Sequence, residues 1–118
     1  MSKRDIRLFI NDLIEAIEKI ESYTGRMTSE EFAKDDRTKD AVVRNMEIIG
    51  EAVKNIPDSV KEKYSGVNWK AVSGMRDKLI HEYFGVSFSI VWETIKNDFP
   101  GFKAEIRKIL AEIEKEKK

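Results

Sequence analysis

The sequence predicts an all-α fold, an antiparallel bundle of four to five main helices. Three observations carry this. Apolar residues recur at spacings of three and four along most of the chain. No stretch alternates with period two over the length of a strand. The gaps between the apolar stripes hold capping residues and helix stops rather than hairpin turns.

Ile6, Phe9, Ile10, Leu13, Ile14, Ile17 and Ile20 mark a first long amphipathic helix, which Gly25 in "YTGR" can stop. "TSEE" reads as a capping box, with Thr28 as N-cap and Glu31 reaching back to it, and starts a short helix through Phe32. "DDRTKD" offers Asp36 as the next cap. Val42, Met46, Ile49, Val53 and Ile56 then form the stripe of a second long helix, stopped before Pro57. Gly50 lies inside that helix, where Ala would be better by ~1 kcal/mol. Close approach of another backbone is the simplest reason for it.

"PDSVKEKYSGVNW" reads as a helical turn and a loop, after which Asn68 caps a third helix, from about Trp69 to Phe84, ended by Gly85. Ser87 caps a fourth, carrying Phe88, Val91, Trp92 and Ile95, which "DFPG" breaks near Pro100. Phe102, Ile106, Ile109, Leu110 and Ile113 mark a last helix, with a frayed tail expected from about residue 114. One domain over residues 1–118 is expected, because this length carries one modest core.

Composition narrows the function. Lys plus Arg equals Asp plus Glu, at 22 each, so any nucleic-acid binding has to use a local patch. The chain is 37% charged yet 41% apolar, which suits amphipathic helices and argues against disorder. It has no cysteine, which removes disulfides, thiolate zinc sites and a Cys nucleophile. With a single His, a His-rich metal site within one chain is not expected, and no metal or cofactor is assigned. "MSKRDIRLFINDL" has no signal-type apolar core, and no apolar run approaches the ~20 residues of a membrane span. A soluble cytoplasmic protein, not associated with membrane, is expected.

Chemistry concentrates in "RDKLIHEYF", residues 76–84. At ~100° per residue, Arg76 and Tyr83 fall ~20° apart on one helix face, whereas His81 lies ~140° from Arg76. Asp77, four before His81, is its neighbour. Two arrangements can bring Arg and His together. The helix loosens near His81, or a second copy supplies the missing group across a two-fold axis. Cleavage of RNA by its own 2′-OH favours the second, since it needs both a base and an acid and each chain holds one His. Arg76, always charged, offers a planar fork for the non-bridging oxygens.

Plainer roles stand beside these. A lone His at a helix end is commonly a polar surface residue or a partner of the helix dipole. Tyr83 suits a core edge, and Arg76, Asp77 and Lys78 suit a solvated charge cluster. Asn45 suits packing, and Arg44 with Glu51 suits a surface pair on the far side of the second long helix.

The motif has the form R-x4-H-x-Y. Together with "RNMEIIGEA" upstream and "FGVSFSIVWETI" downstream, it resembles the HepT-like family of HEPN-domain proteins, over nearly the whole chain. The resemblance implies a homodimeric helical bundle, with higher assembly left open. It also implies the toxin role in a toxin–antitoxin pair, as a metal-independent endoribonuclease acting on RNA. Arg76 and His81 take the catalytic positions at the dimer interface, with Asp77 in support. The antitoxin implied is a minimal nucleotidyltransferase that transfers AMP to Tyr83. Glu82 adds an acid beside this site. The alternative is a non-catalytic helical partner of a nucleotidyltransferase, one that binds or presents nucleotide.

Overall fold

The computed structural model describes residues 5–81 and 87–116. These residues form an antiparallel helical bundle without strands. The elements are α1 (Ile6–Thr24), α2 (Ser29–Lys34), α3 (Asp36–Asn55), α4 (Asp58–Lys63), α5 (Trp69–His81), α6 (Phe88–Glu93), a π-helical turn (Thr94–Asp98) and α7 (Phe99–Glu116). No helix among the described residues is long and apolar enough to cross a membrane.

Local chemistry sets most of the helix ends. The Asp5 carboxylate accepts from the Arg7 N–H at 2.9 Å and opens α1. The Gly25 N–H donates back to the Glu21 carbonyl at 2.8 Å and closes it. Thr28 and Glu31 form the reciprocal capping box, at 3.1 and 2.9 Å. The short helix it opens runs two residues past Phe32, to Lys34. The cap of α3 is Asp35 rather than the expected Asp36, its carboxylate accepting from the Thr38 N–H at 3.0 Å. In the pair "DD" the first residue is extended and the second already helical, so only the first has an oxygen placed over the open turn. Asn68 caps α5 through the Ala71 N–H at 3.1 Å, and Ser87 caps α6 through the Ile90 N–H.

The core follows the stripes. Ile10, Leu13, Ile17 and Ile20 of α1 are buried against Val42, Met46, Ile49 and Val53 of α3, with Ile106 and Ile109 of α7 closing the layer. Helix α3 is the central element, packed between α1 and α5. Asn45 is buried in it, and its amide donates to the Ala41 carbonyl at 2.9 Å, so it serves packing. Helices α1 and α7 run antiparallel: Lys96 reaches the Thr24 carbonyl, Lys103 pairs with Glu21 and Arg107 with Glu18.

The expected break at Pro100 is absent. The chain stays helical from Phe88 to Glu116, through the π turn. The Phe99 N–H bonds the Thr94 carbonyl, five residues back. An α-helix would ask Pro100 for an N–H it lacks and press its ring on the carbonyl four residues earlier. The wider turn just before it changes the register, so Pro100 sits in the first turn of α7, where Pro is tolerated. The two expected terminal helices are therefore one continuous rod. The predicted end of α5 at Phe84 and its stop at Gly85 lie outside the described residues.

Candidate functional site

The site is built where α5 leans on α3. Gly50 is buried at that crossing. A Cβ added there would run into the Arg76 Cβ and lie 3.3 Å from the Arg76 Cα. The two backbones therefore meet at this point, which accounts for a glycine inside a long helix.

Arg76 is thus seated by its stem, and its side chain is only 25% exposed. Its guanidinium is held by carboxylates from two helices. Nη2 pairs with Glu51 Oε2 at 2.9 Å, across to α3. Nη1 reaches Asp77 Oδ1 at 3.4 Å, within α5. Asp77 Oδ1 also accepts from Lys54 Nζ at 2.8 Å, a second link across to α3. Two acids and two bases alternate in one cluster, Glu51–Arg76–Asp77–Lys54.

The Lys54 hydrogen bond, above all, holds the Asp77 carboxyl below the ordinary carboxylate range. Partial desolvation opposes it, and the charges of Lys54, Arg76 and His81 add to it in that order. Asp77 was expected to support the site. Its short contact is to Lys54, and His81 contributes only the smallest of the charge effects on it.

His81 is exposed and is the last described residue of α5. Helix α5 stays α-helical up to it, so the ~140° divergence from Arg76 is kept. Arg76 faces α3, and no hydrogen bond or ion pair joins it to His81 among the described residues. Tyr83 lies outside the described residues, as does Glu82.

The expected surface pair of Arg44 and Glu51 is not formed; Glu51 turns to Arg76 instead. Residues 44 and 51 are two turns apart, whereas the Gly50 crossing brings Arg76 beside Glu51. Glu51 and Lys54 are the two site residues that sequence reasoning missed. A signal was present: they stand three apart on α3, and Gly50 marks the seam next to them.

On another face of α5 from Arg76 and Asp77, a groove of about 910 Å³ opens between α5 and the α6–α7 rod. Val72, Met75, Leu79, Val91 and Phe102 line it, and Ile90 on its wall is 61% exposed.

Similarity to known proteins identifies the family. The family model described as "Ribonuclease HepT-like" matches residues 13–109. "Putative RNase MJ1216" of Methanocaldococcus jannaschii is 49% identical over 114 residues, 97% of this chain and 94% of that protein. "Probable ribonuclease HepT" of Thermococcus cleftensis is 44% identical over 107 residues, 91% of this chain and 97% of that protein. "Putative RNase TTE0752" of Caldanaerobacter subterraneus is 44% identical over 104 residues, 88% and 93% of the two chains. No solved structure matches. The matched span holds the whole Glu51–Arg76–Asp77–Lys54 cluster and His81, and the chain belongs to the HepT-like ribonuclease family.

Proposed function

We propose that this chain is the toxin of a toxin–antitoxin pair, a metal-independent endoribonuclease that works as a symmetric homodimer. One observation carries the reading. On a helix that stays regular, Arg76 is seated against α3 while His81 stands exposed on another face. A single copy offers a phosphate fork and one proton-transfer group in divergent directions; two copies related by a two-fold axis offer two of each around one cleft.

In that cleft the 2′-oxygen attacks the adjacent phosphorus. The bond from phosphorus to the 5′-oxygen breaks, leaving a 2′,3′-cyclic phosphate and a 5′-hydroxyl. One His81 takes the 2′-OH proton, and His81 of the second copy gives a proton to the departing 5′-oxygen. Arg76 stabilises the charge on the non-bridging oxygens.

Tyr83 is the acceptor through which a minimal nucleotidyltransferase silences the toxin. The phenol oxygen bonds the α-phosphorus of ATP and pyrophosphate leaves. The attached AMP puts bulk and negative charge where the substrate phosphate binds, and Arg76 can pair with it instead.

A second reading has its own observation. The Arg76 fork already carries two carboxylates, as a non-catalytic partner of a nucleotidyltransferase would allow. The two readings separate in one assay. Single-stranded RNA is incubated with the purified protein in excess EDTA, and the ends are analysed. Cyclic phosphate ends that disappear in His81→Ala support the ribonuclease. Intact RNA, or cleavage only with added Mg²⁺, favours the partner reading or a different chemistry.

A further inference from the structure

We infer that Glu51 is a positioning residue for Arg76: the carboxylate on α3 sets the direction in which the guanidinium presents its N–H groups to the substrate phosphate. The inference rests on the ribonuclease reading and deepens it.

Three features of the site point to this role. The first is the seat. The Gly50 backbone and the Arg76 stem are in direct contact, which restricts where the side chain can start. The second is the hold on the head group. Glu51 Oε2 lies 2.9 Å from Nη2, whereas Asp77 lies 3.4 Å from Nη1 and is drawn to Lys54 at 2.8 Å. Glu51 therefore makes the shorter of the two contacts. The third is the frame of reference. Asp77 shares α5 with Arg76 and moves with it. Glu51 belongs to α3, the helix at the centre of the core, and directly follows the glycine that seats the stem.

The chemistry gives such a hold a purpose. A guanidinium donates five N–H bonds in one plane, and a phosphate is gripped well only when that plane faces it. A carboxylate on one terminal nitrogen fixes the plane and leaves other donors for the ligand. The Glu51 side chain is 56% exposed, so the pair adds little to folding stability. Its effect is on direction, and a misdirected catalytic group commonly slows an enzyme severely without unfolding it.

The test compares the full-length parent, Glu51→Ala and Glu51→Gln. The Gln oxygen can still accept from Nη2, so that variant keeps the hold without the charge. Two readouts are taken: the NMR order parameter of the Arg76 Nε–H, and kcat with KM for RNA cleavage. The inference predicts an ordered Arg76 in the parent and in Glu51→Gln, and a loosened one in Glu51→Ala. It also predicts a kcat lower by roughly 10- to 100-fold in Glu51→Ala, with KM changed far less, and substantial rescue in Glu51→Gln. Melting temperatures should be nearly equal. An Arg76 that is as ordered in Glu51→Ala as in the parent overturns the inference. So does a loosened Arg76 with unchanged kcat. Faster or tighter cleavage in both variants also overturns it, since the carboxylate would then be a competitor of the phosphate. If the parent cuts no RNA, the ribonuclease reading fails, and the order parameter alone decides whether Glu51 holds Arg76.

Discussion

Gly50→Ala is the sharpest test of how the site is seated. The added methyl falls on the Arg76 Cβ, with the Cγ at 3.1 Å and the Cα at 3.3 Å. Two of these three atoms, Cα and Cβ, are fixed to the α5 backbone, so no side-chain rotation relieves the clash. Helix α5 has to retreat by on the order of 1 Å to restore ordinary contact at 3.5–4.0 Å. Forcing a methyl into a packed crossing costs about 1–3 kcal/mol. Replacing Gly by Ala inside a helix returns about 1 kcal/mol through propensity. The crossing is backbone on backbone, so the cost falls at the upper end and the net loss is about 1–2 kcal/mol. For a chain of this size the melting temperature drops by roughly 4–8 °C. Gly74→Ala is the matched control: Gly74 is also helical, but an added Cβ meets nothing within 4 Å. It should gain up to about 1 kcal/mol. The assay is thermal melting by circular dichroism, with urea unfolding for the free energies. A Gly50→Ala protein that melts at or above the parent would refute the close crossing, and with it the account of how Arg76 is placed.

The remaining predictions concern the charges and the switch. Arg76→Ala and His81→Ala should each lower RNA cleavage by on the order of 10²-fold or more while the bundle stays folded, measured by turnover beside circular dichroism. The lowered Asp77 pKa contributes stability that is complete above the ordinary carboxylate value of about 3.9 and is lost as the pH falls through the folded value, so Asp77→Asn should flatten the stability–pH curve only below about pH 4. An unchanged acid limb in that variant would detach Asp77 from the link between α3 and α5. Tyr83→Phe, incubated with the partner enzyme, ATP and Mg²⁺, should gain no AMP by intact mass and should keep cutting RNA, whereas the parent gains AMP and stops.

What could be read from the sequence is what short-range chemistry decides. The stripe of Val42, Met46, Ile49, Val53 and Ile56 is buried throughout. Thr28, Asn68 and Ser87 cap the helices expected of them, because a cap needs only a side-chain oxygen two or three residues before an open N–H. Gly50 also announced itself, since a glycine inside a strong helix needs a reason. Pro100 misled because its rule holds for an α-helix, and a π turn, one residue wider than the ordinary register, lies outside that rule. The pairing of Glu51 was hidden for a different reason. On an isolated helix its neighbours are those three and four residues away, and only the crossing angle of α5 brings Arg76 to it. The candidate site was legible as a motif on one helix; its support from the next helix is a product of packing.

The account rests most on two copies sharing one cleft, with one His81 from each acting as base and acid. A purified heterodimer, with one parent copy and one differently tagged His81→Ala copy, tests this directly. Its RNA cleavage rate is measured against both homodimers under conditions where subunits do not exchange. The account predicts that the heterodimer falls nearly to the level of the His81→Ala homodimer, because the single cleft has lost one of its two proton-transfer groups. Retention of about half of the parent rate would mean two independent sites, each complete within one chain, and would contradict it.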